Sequence, residues 1–217
     1  MKTGILFDLD GTLLSTLEDL TDAVNHSMRF HGCPERTMEE VRTFVGNGAP
    51  LLIERSLPGK DTDPTVEEAL ATYQAYYSLH AMDKTRPYDG ILEALAELRK
   101  EFPIAVVSNK PDISTKPLCK AYFGEDIFAL GQSANCPKKP APDMVFQAMA
   151  AIGVDTCIYV GDSEVDVRTA KNAGVPCLSV LWGFRDKDYL IENGATNFCD
   201  DPKKLPAALK ELMQYGK

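Results

Sequence analysis

The chain has 217 residues, 44% hydrophobic and 25% charged, which is enough apolar material for one large domain or a core with a smaller companion, and too much for a disordered chain. Its 32 acidic and 23 basic residues give a formal net charge of −9, which argues against a nucleic-acid or anionic-membrane partner but leaves room for a small anionic substrate held by a local cationic pocket or a metal. The six cysteines (Cys33, Cys119, Cys136, Cys157, Cys177 and Cys199) form no C-x-x-C pair and no Cys/His cluster with zinc spacing, and no apolar stretch is long enough to span a bilayer.

The N-terminus reaches acidic residues too early for a signal peptide, so a reduced, cytoplasmic protein is expected. The short apolar run Gly4 to Phe7 predicts a buried first strand, and it ends in Asp8-Leu9-Asp10-Gly11-Thr12. From Ser15 to Lys84 there is no strand pattern. Leu17, Leu20, Val24 and Met28 make one helix face, Leu51, Leu52 and Leu57 suggest another, and Ala69 to Leu79 a third. A helical block of this length exceeds a crossover. It predicts a small helical domain over residues 15–84, inserted into an α/β core made of 1–14 and 85–217. Lys84 to Gly90 would be the return linker.

Beyond it, helix and strand alternate. Ile91, Leu92, Leu95 and Leu98 recur at helix spacing before a strand over Pro103 to Val107, which ends in Ser108-Asn109-Lys110. Ile127 to Leu130 suggests a further strand. Lys138-Lys139-Pro140 precedes a helix carrying Met144, Val145, Ala148, Met149 and Ile152, with Gly153 as its stop. Strands at Cys157 to Val160, ending in Gly161-Asp162-Ser163 with Asp166 one turn on, and at Val175 to Val180 follow. Such alternation predicts an α/β fold, a doubly wound, mainly parallel sheet.

Ligands of open α/β sheets bind beyond the carboxyl ends of the strands, where several of these polar clusters fall. Asp8 and Asp10, at i and i+2 of an extended chain, share a face and repel unless a cation intervenes. Asp162 brings a third carboxylate to the rim, and an all-oxygen set suits a hard cation such as Mg²⁺. Each acid alone also fits a loop or cap residue. Gly11 permits a sharp turn, and Thr12 would hold that turn by a local hydrogen bond. Ser108 and Asn109 read either as a plain turn or as donors to phosphate oxygens, and Lys139 either as a solvated lysine or as a cation facing developing negative charge.

Taken in order, Asp8-Leu9-Asp10-Gly11-Thr12, Ser108-Asn109, Lys139-Pro140 and Gly161-Asp162-Ser163-x-x-Asp166 resemble the four motifs of the haloacid dehalogenase superfamily of hydrolases. The helical insertion resembles that family's cap. Phe44-Val45-Gly46-Asn47-Gly48, Pro87-Tyr88-Asp89-Gly90, Trp182-Gly183-Phe184 and Asn193-Gly194-Ala195 resemble its phosphoglycolate phosphatase-like branch.

The resemblance implies a Mg²⁺-dependent phosphatase acting on a small phosphate monoester, with 2-phosphoglycolate as one candidate. Asp8 would be the nucleophile and Asp10 the general acid and base. Asp8, the main-chain carbonyl of Asp10 and Asp162 would hold the metal. Ser108, Asn109 and Lys139 would bind the phosphoryl group, the proline at 140 selecting Lys139 over Lys138. Asp166 would orient Lys139 or a metal-bound water. The Gly46-Asn47-Gly48 turn would read the substrate, or else is a plain helix-to-helix turn. Arg42 and Arg55 fit either an anionic substrate or a solvated surface. An aspartate at position 10 argues against carbon–halogen cleavage. A β-phosphoglucomutase-like transferase and a non-catalytic phosphate- or metal-binding module are the rival readings.

Overall fold

The computed structural model describes residues 1–59 and 64–215. In chain order the elements are β1 (Thr3–Phe7), β2 (Leu14–Ser15), α1 (Leu17–Phe30), α2 (Met38–Phe44), α3 (Ala49–Ser56), α4 (Val66–His80), β3 (Arg86–Pro87), α5 (Ile91–Leu98), β4 (Ile104–Pro111), α6 (Asp112–Phe123), β5 (Phe128–Gln132), α7 (Asp143–Ile152), β6 (Thr156–Gly161), α8 (Glu164–Ala173), β7 (Cys177–Val180), α9 (Lys187–Glu192), β8 (Phe198–Cys199) and α10 (Leu205–Tyr215). The chain divides into two units, one of Met1–Leu14 with Pro87–Lys217 and one of Ser15–Arg86.

The first unit is built on a six-stranded parallel sheet in the order β5-β4-β1-β6-β7-β8. Its strands lack polar alternation because both faces are covered. In β1, Ile5 and Phe7 join a cluster with Ile91, Leu95 and Leu98 of α5, Leu118 of α6 and Leu205 of α10. Leu6, pointing the other way, joins Met144, Val145 and Ala148 of α7 and Ala170 of α8. Neighbouring strands repeat the division: Val106 and Val160 fall on the first side, Val107 and Tyr159 on the second. A period of two with apolar residues at every position is what a sheet clad on both sides requires.

Some elements depart from the reading of the sequence. Leu92, expected on the inner face of α5, is 48% exposed, because 100° per residue carries position 92 away from the stripe of Ile91, Ala94, Leu95 and Leu98. The strand expected from Val175 begins at Cys177, since the Val175 amide closes the end of α8 on the Ala170 carbonyl. β4 runs on through Ser108, Asn109 and Lys110, which therefore lie within a strand with an irregular register and not in a turn after it. β8 is too short to leave an apolar signature.

Among the described residues, the second unit contains four helices. Leu20, Val24 and Met28 of α1 are buried, and the Ser27 hydroxyl donates to the Ala69 carbonyl of α4 at 2.8 Å. α2, which has little apolar periodicity, is started by a capping box between Thr37 and Glu40, and α4 by another between Thr65 and Glu68. Leu79, inside the third expected helix, is 79% exposed. Arg55 donates to the Phe44 carbonyl at the end of α2, and Arg42 lies 3.4 Å from Glu39. Gly46 and Gly48 have φ of 119° and 88°, so the turn between α2 and α3 uses backbone conformations that favour glycine. No helix among the described residues is long and apolar enough to cross a membrane. All six cysteines are free thiols.

One close approach secures the polar end of β4. The Gly131 amide of β5 donates to Asp112 at the start of α6 (2.9 Å), and Thr115 of α6 donates to the Lys110 and Pro111 carbonyls. A Cβ on Gly131 would stand 2.7 Å from both the Asp112 nitrogen and the Thr115 hydroxyl. Gly131→Ala should therefore destabilise the protein by about 1–3 kcal/mol, through overpacking against backbone that cannot yield. Urea denaturation followed by circular dichroism measures it.

Candidate active site

Strand register assembles the site. Phe7 of β1 stands level with Val106 of β4 and Val160 of β6, so the residues that follow emerge together at the carboxyl edge of the sheet. Asp8 leaves β1 with its amide on the Val160 carbonyl (2.8 Å). Asp162 follows Gly161 on the neighbouring strand. Gly11, at φ +81°, reverses the chain, and a Cβ there would overlap the Asp162 carboxylate. Thr12 does not serve the turn as expected. Its hydroxyl donates to Asp162 Oδ1 at 3.0 Å, across 150 residues of sequence.

Asp8, Asp162 and Asp166 each place a carboxylate oxygen within 4.8 Å of the others. Lys139, 2% exposed, lies among them. Its Nζ is 2.9 Å from Asp8 Oδ1, 2.8 Å from Asp166 Oδ1 and 3.0 Å from the Tyr159 hydroxyl. Tyr159 in turn donates to the Val107 carbonyl, so β6, β4 and the lysine are tied at one point. The other oxygen of Asp166 accepts from the Ser163 amide and hydroxyl, the capping box that starts α8. Asp166 is fully buried. Lys138, in contrast to Lys139, is exposed.

The Asn109 side chain holds the lysine from behind. Its Oδ1 accepts from the Lys139 amide (2.8 Å) and its Nδ2 donates to the Lys139 carbonyl (3.0 Å). Ser108, also buried, accepts from the Lys110 amide. Asp10 is not in the carboxylate cluster. Both its oxygens lie 2.9 Å from the Nζ of Lys110, whose side chain is 4% exposed. The repulsion foreseen between Asp8 and Asp10 is relieved by two lysines, one for each acid. Sequence reading missed Lys110, Tyr159 and the long reach of Thr12. The one available signal was that Lys110 sits two residues after Ser108 on an extended strand.

The electrostatics point to a missing positive charge. Burial first, then Asp166 and Asp162, push the Asp8 carboxyl well above its usual range, against the pull of Lys139. Burial and Asp166 raise Asp162 to about 7, although the Phe184 amide and Thr12 hydrogen-bond its ionised form. Burial opposes the charge on Lys139, yet Asp166 and Asp8 hold its ammonium well above the ordinary range. With all three carboxylates ionised, one ammonium leaves two negative charges unmatched. A hard divalent cation matches both the charge and the oxygen-only donor set. Asp8 and Asp162 fit it best, since Asp166 is ion-paired to Lys139 through one oxygen and accepts twice from Ser163 through the other, whereas Asp162 accepts one neutral donor at each oxygen. Asp8 Oδ1 receives the Leu9 amide and Lys139, which leaves Oδ2 without a hydrogen bond among the described residues.

Comparison with known proteins gives a consistent picture. A family model described as haloacid dehalogenase-like hydrolase matches residues 5–180. A phosphoglycolate phosphatase of Pseudomonas syringae pv. tomato is 35% identical over 212 residues, spanning 93% of this chain and 77% of the relative. A crystal structure from Lactobacillus delbrueckii subsp. bulgaricus, provisionally described as a phosphoglycolate phosphatase, superposes with a TM-score of 0.90 at 35% identity, covering 96% of this chain and 99% of that one. CbbY from Rhodobacter sphaeroides, in complex with phosphate, superposes with a TM-score of 0.79 at 25% identity, covering 97% of this chain and all of that one.

A carboxyl that holds its proton more tightly folded than unfolded opposes folding increasingly as pH rises between the two pKa values. For Asp162 the window runs from the ordinary 3.8 to about 7. In EDTA, Asp162→Asn should thus be more stable than the native protein at pH 8, by roughly 2–4 kcal/mol, with the gap closing toward pH 4. Asparagine keeps both neighbours, accepting from Phe184 and donating to the Thr12 hydroxyl. Urea midpoints across that pH range provide the measurement.

Proposed function

The chain belongs to the haloacid dehalogenase-like hydrolases and is a phosphoric monoester hydrolase, and from that membership we propose that it uses Mg²⁺ and an aspartyl-phosphate at Asp8 to hydrolyse a small phosphorylated metabolite, 2-phosphoglycolate first among the candidates. The observation that carries the reading is the Asp8 carboxylate, buried against Lys139 at 2.9 Å and clustered with Asp162 and Asp166 at the sheet's carboxyl edge. The substrate is proposed on the strength of the Pseudomonas syringae relative.

In this mechanism Asp8, its Oδ1 pinned by the Leu9 amide and Lys139, attacks phosphorus in line. The bond from phosphorus to the leaving oxygen breaks, and Asp10 delivers a proton to that oxygen. Asp10 then takes a proton from the water that attacks the acyl phosphate. Inorganic phosphate leaves and Asp8 is restored. For this Asp10 must part from Lys110 and take up a proton from solvent before the first step, and the second step returns that proton to it, so the ion pair is the resting arrangement. Lys139, the Ser108 hydroxyl and the Asn109 amide hold the phosphoryl oxygens, while Asp166 orients Lys139. Asp8, the Asp10 main-chain carbonyl and Asp162 would hold Mg²⁺, which when bound offsets charge on the phosphoryl group and aligns it. The 15–84 insertion is proposed as a cap that excludes water, with Gly46, Asn47 and Gly48 reading the leaving group. The net charge fits a small-molecule partner, and a cytoplasmic setting with no nucleic acid or membrane in the reaction belongs to the same proposal.

Purified protein with Mg²⁺ should release phosphate from a panel of monoesters with kcat/KM highest for 2-phosphoglycolate. Asp8→Asn should lower the rate by roughly three orders of magnitude or more. A preference for sugar phosphates or nucleotides overturns the substrate. Isomerisation of a sugar phosphate without free phosphate favours the transferase. No rate difference between native and Asp8→Asn protein removes catalysis altogether.

A further inference from the structure

The segment that leaves β7 meets two parts of the site. Trp182 Nε1 donates to the Thr12 carbonyl at 2.9 Å. Gly183 passes so close that a Cβ there would overlap the Asp162 side chain and stand 2.5 Å from the Gly11 carbonyl oxygen. The Phe184 amide donates to Asp162 Oδ2 at 2.7 Å, opposite the Thr12 hydroxyl on Oδ1. Asp162 is therefore gripped at both oxygens, by two segments that also touch one another.

The grip depends on where the segment ends. Arg185 Nε stands 3.0 Å from Glu164 Oε2, and the two side chains are only 10% and 7% exposed. Glu164 is the first residue of α8 and lies two positions after Asp162. The Arg185 guanidinium carbon also lies 6.0 Å from the Tyr189 ring centroid of α9. A pair this buried is shielded from the screening that weakens surface ion pairs.

We propose that the Arg185–Glu164 pair is a positioning device for metal binding. It ties the 181–185 segment to the start of α8, so that the Phe184 amide stays on Asp162 and the carboxylate is already oriented when a divalent cation arrives. The inference rests on the metal reading above and adds to it two residues that the motifs leave unspecified. Partners that orient a metal ligand typically change affinity 10–100-fold when removed.

The test titrates Mg²⁺ alone into native protein, Arg185→Met, Glu164→Gln and the double variant. Binding is followed by calorimetry and by the emission of Trp182, the chain's one tryptophan. The double variant removes both charges together and so avoids a stranded buried ion; its melting temperature in EDTA is measured alongside. The expected result is a dissociation constant raised about tenfold or more in each variant, with the double variant still folded. The Mg²⁺ concentration for half-maximal phosphate release should rise by the same factor. Binding by the double variant within twofold of native protein overturns the inference and leaves the metal reading standing. A native protein that binds no Mg²⁺ overturns both.

Discussion

Three carboxylates and one lysine share a buried space at the edge of the sheet, and much of the first unit is arranged around that imbalance. Asp8, Asp162 and Asp166 come within 4.8 Å of one another, Asp162 and Asp166 fully buried and Asp8 largely so, where water screens them weakly. Lys139 bridges two of the three, and its charge is held by them against the cost of burial. Removing the lysine would leave like charges unopposed at low dielectric, which folded proteins tolerate poorly. What supports Lys139 is correspondingly thorough. Asn109 clasps its backbone from both sides, Tyr159 meets its ammonium, and Tyr159 is itself anchored on β4.

The sheet makes the cluster possible. Parallel strands in register deliver their last residues to one edge, so the acids that follow β1 and β6 and the Ser108–Lys110 segment of β4 arrive together though widely separated in sequence. The cladding helices contribute by their starting ends. α8 opens with a capping box in which Asp166 accepts from Ser163, and the same carboxylate grips Lys139. One residue thus starts a helix and fixes the site's lysine.

Legibility in the sequence followed the range of the interaction. Apolar runs marked β1, β4, β6 and β7 because burial on both faces leaves a local signature. Gly153 marked the end of α7 because a left-handed cap favours glycine, and it has φ 65° there. The acids at strand ends were visible as residues, and their ordering carried the resemblance. Their partners were not visible. Thr12 looked like a turn residue because its local chemistry permits that, yet its hydroxyl serves Asp162 across the sheet. Lys110 looked like an ordinary strand-end lysine, and only the fold brings it to Asp10. Leu92 looked buried because it is leucine beside isoleucine, while the helix geometry turned it outward.

The separate cations given to Asp8 and Asp10 are the sharpest consequence of the folded arrangement. Two acids on one short segment, asked to do different work, need different surroundings. Asp8 sits among carboxylates with a lysine that other groups also claim, and an arriving divalent cation would complete its charge balance. Asp10 is held by a lysine through both its oxygens, outside that crowd. Charge added near Asp8 therefore acts first on the proposed nucleophile, while Asp10 has its own counter-ion in Lys110. Under the proposed roles, two lysines and a change of direction at Gly11 would separate attack from proton transfer.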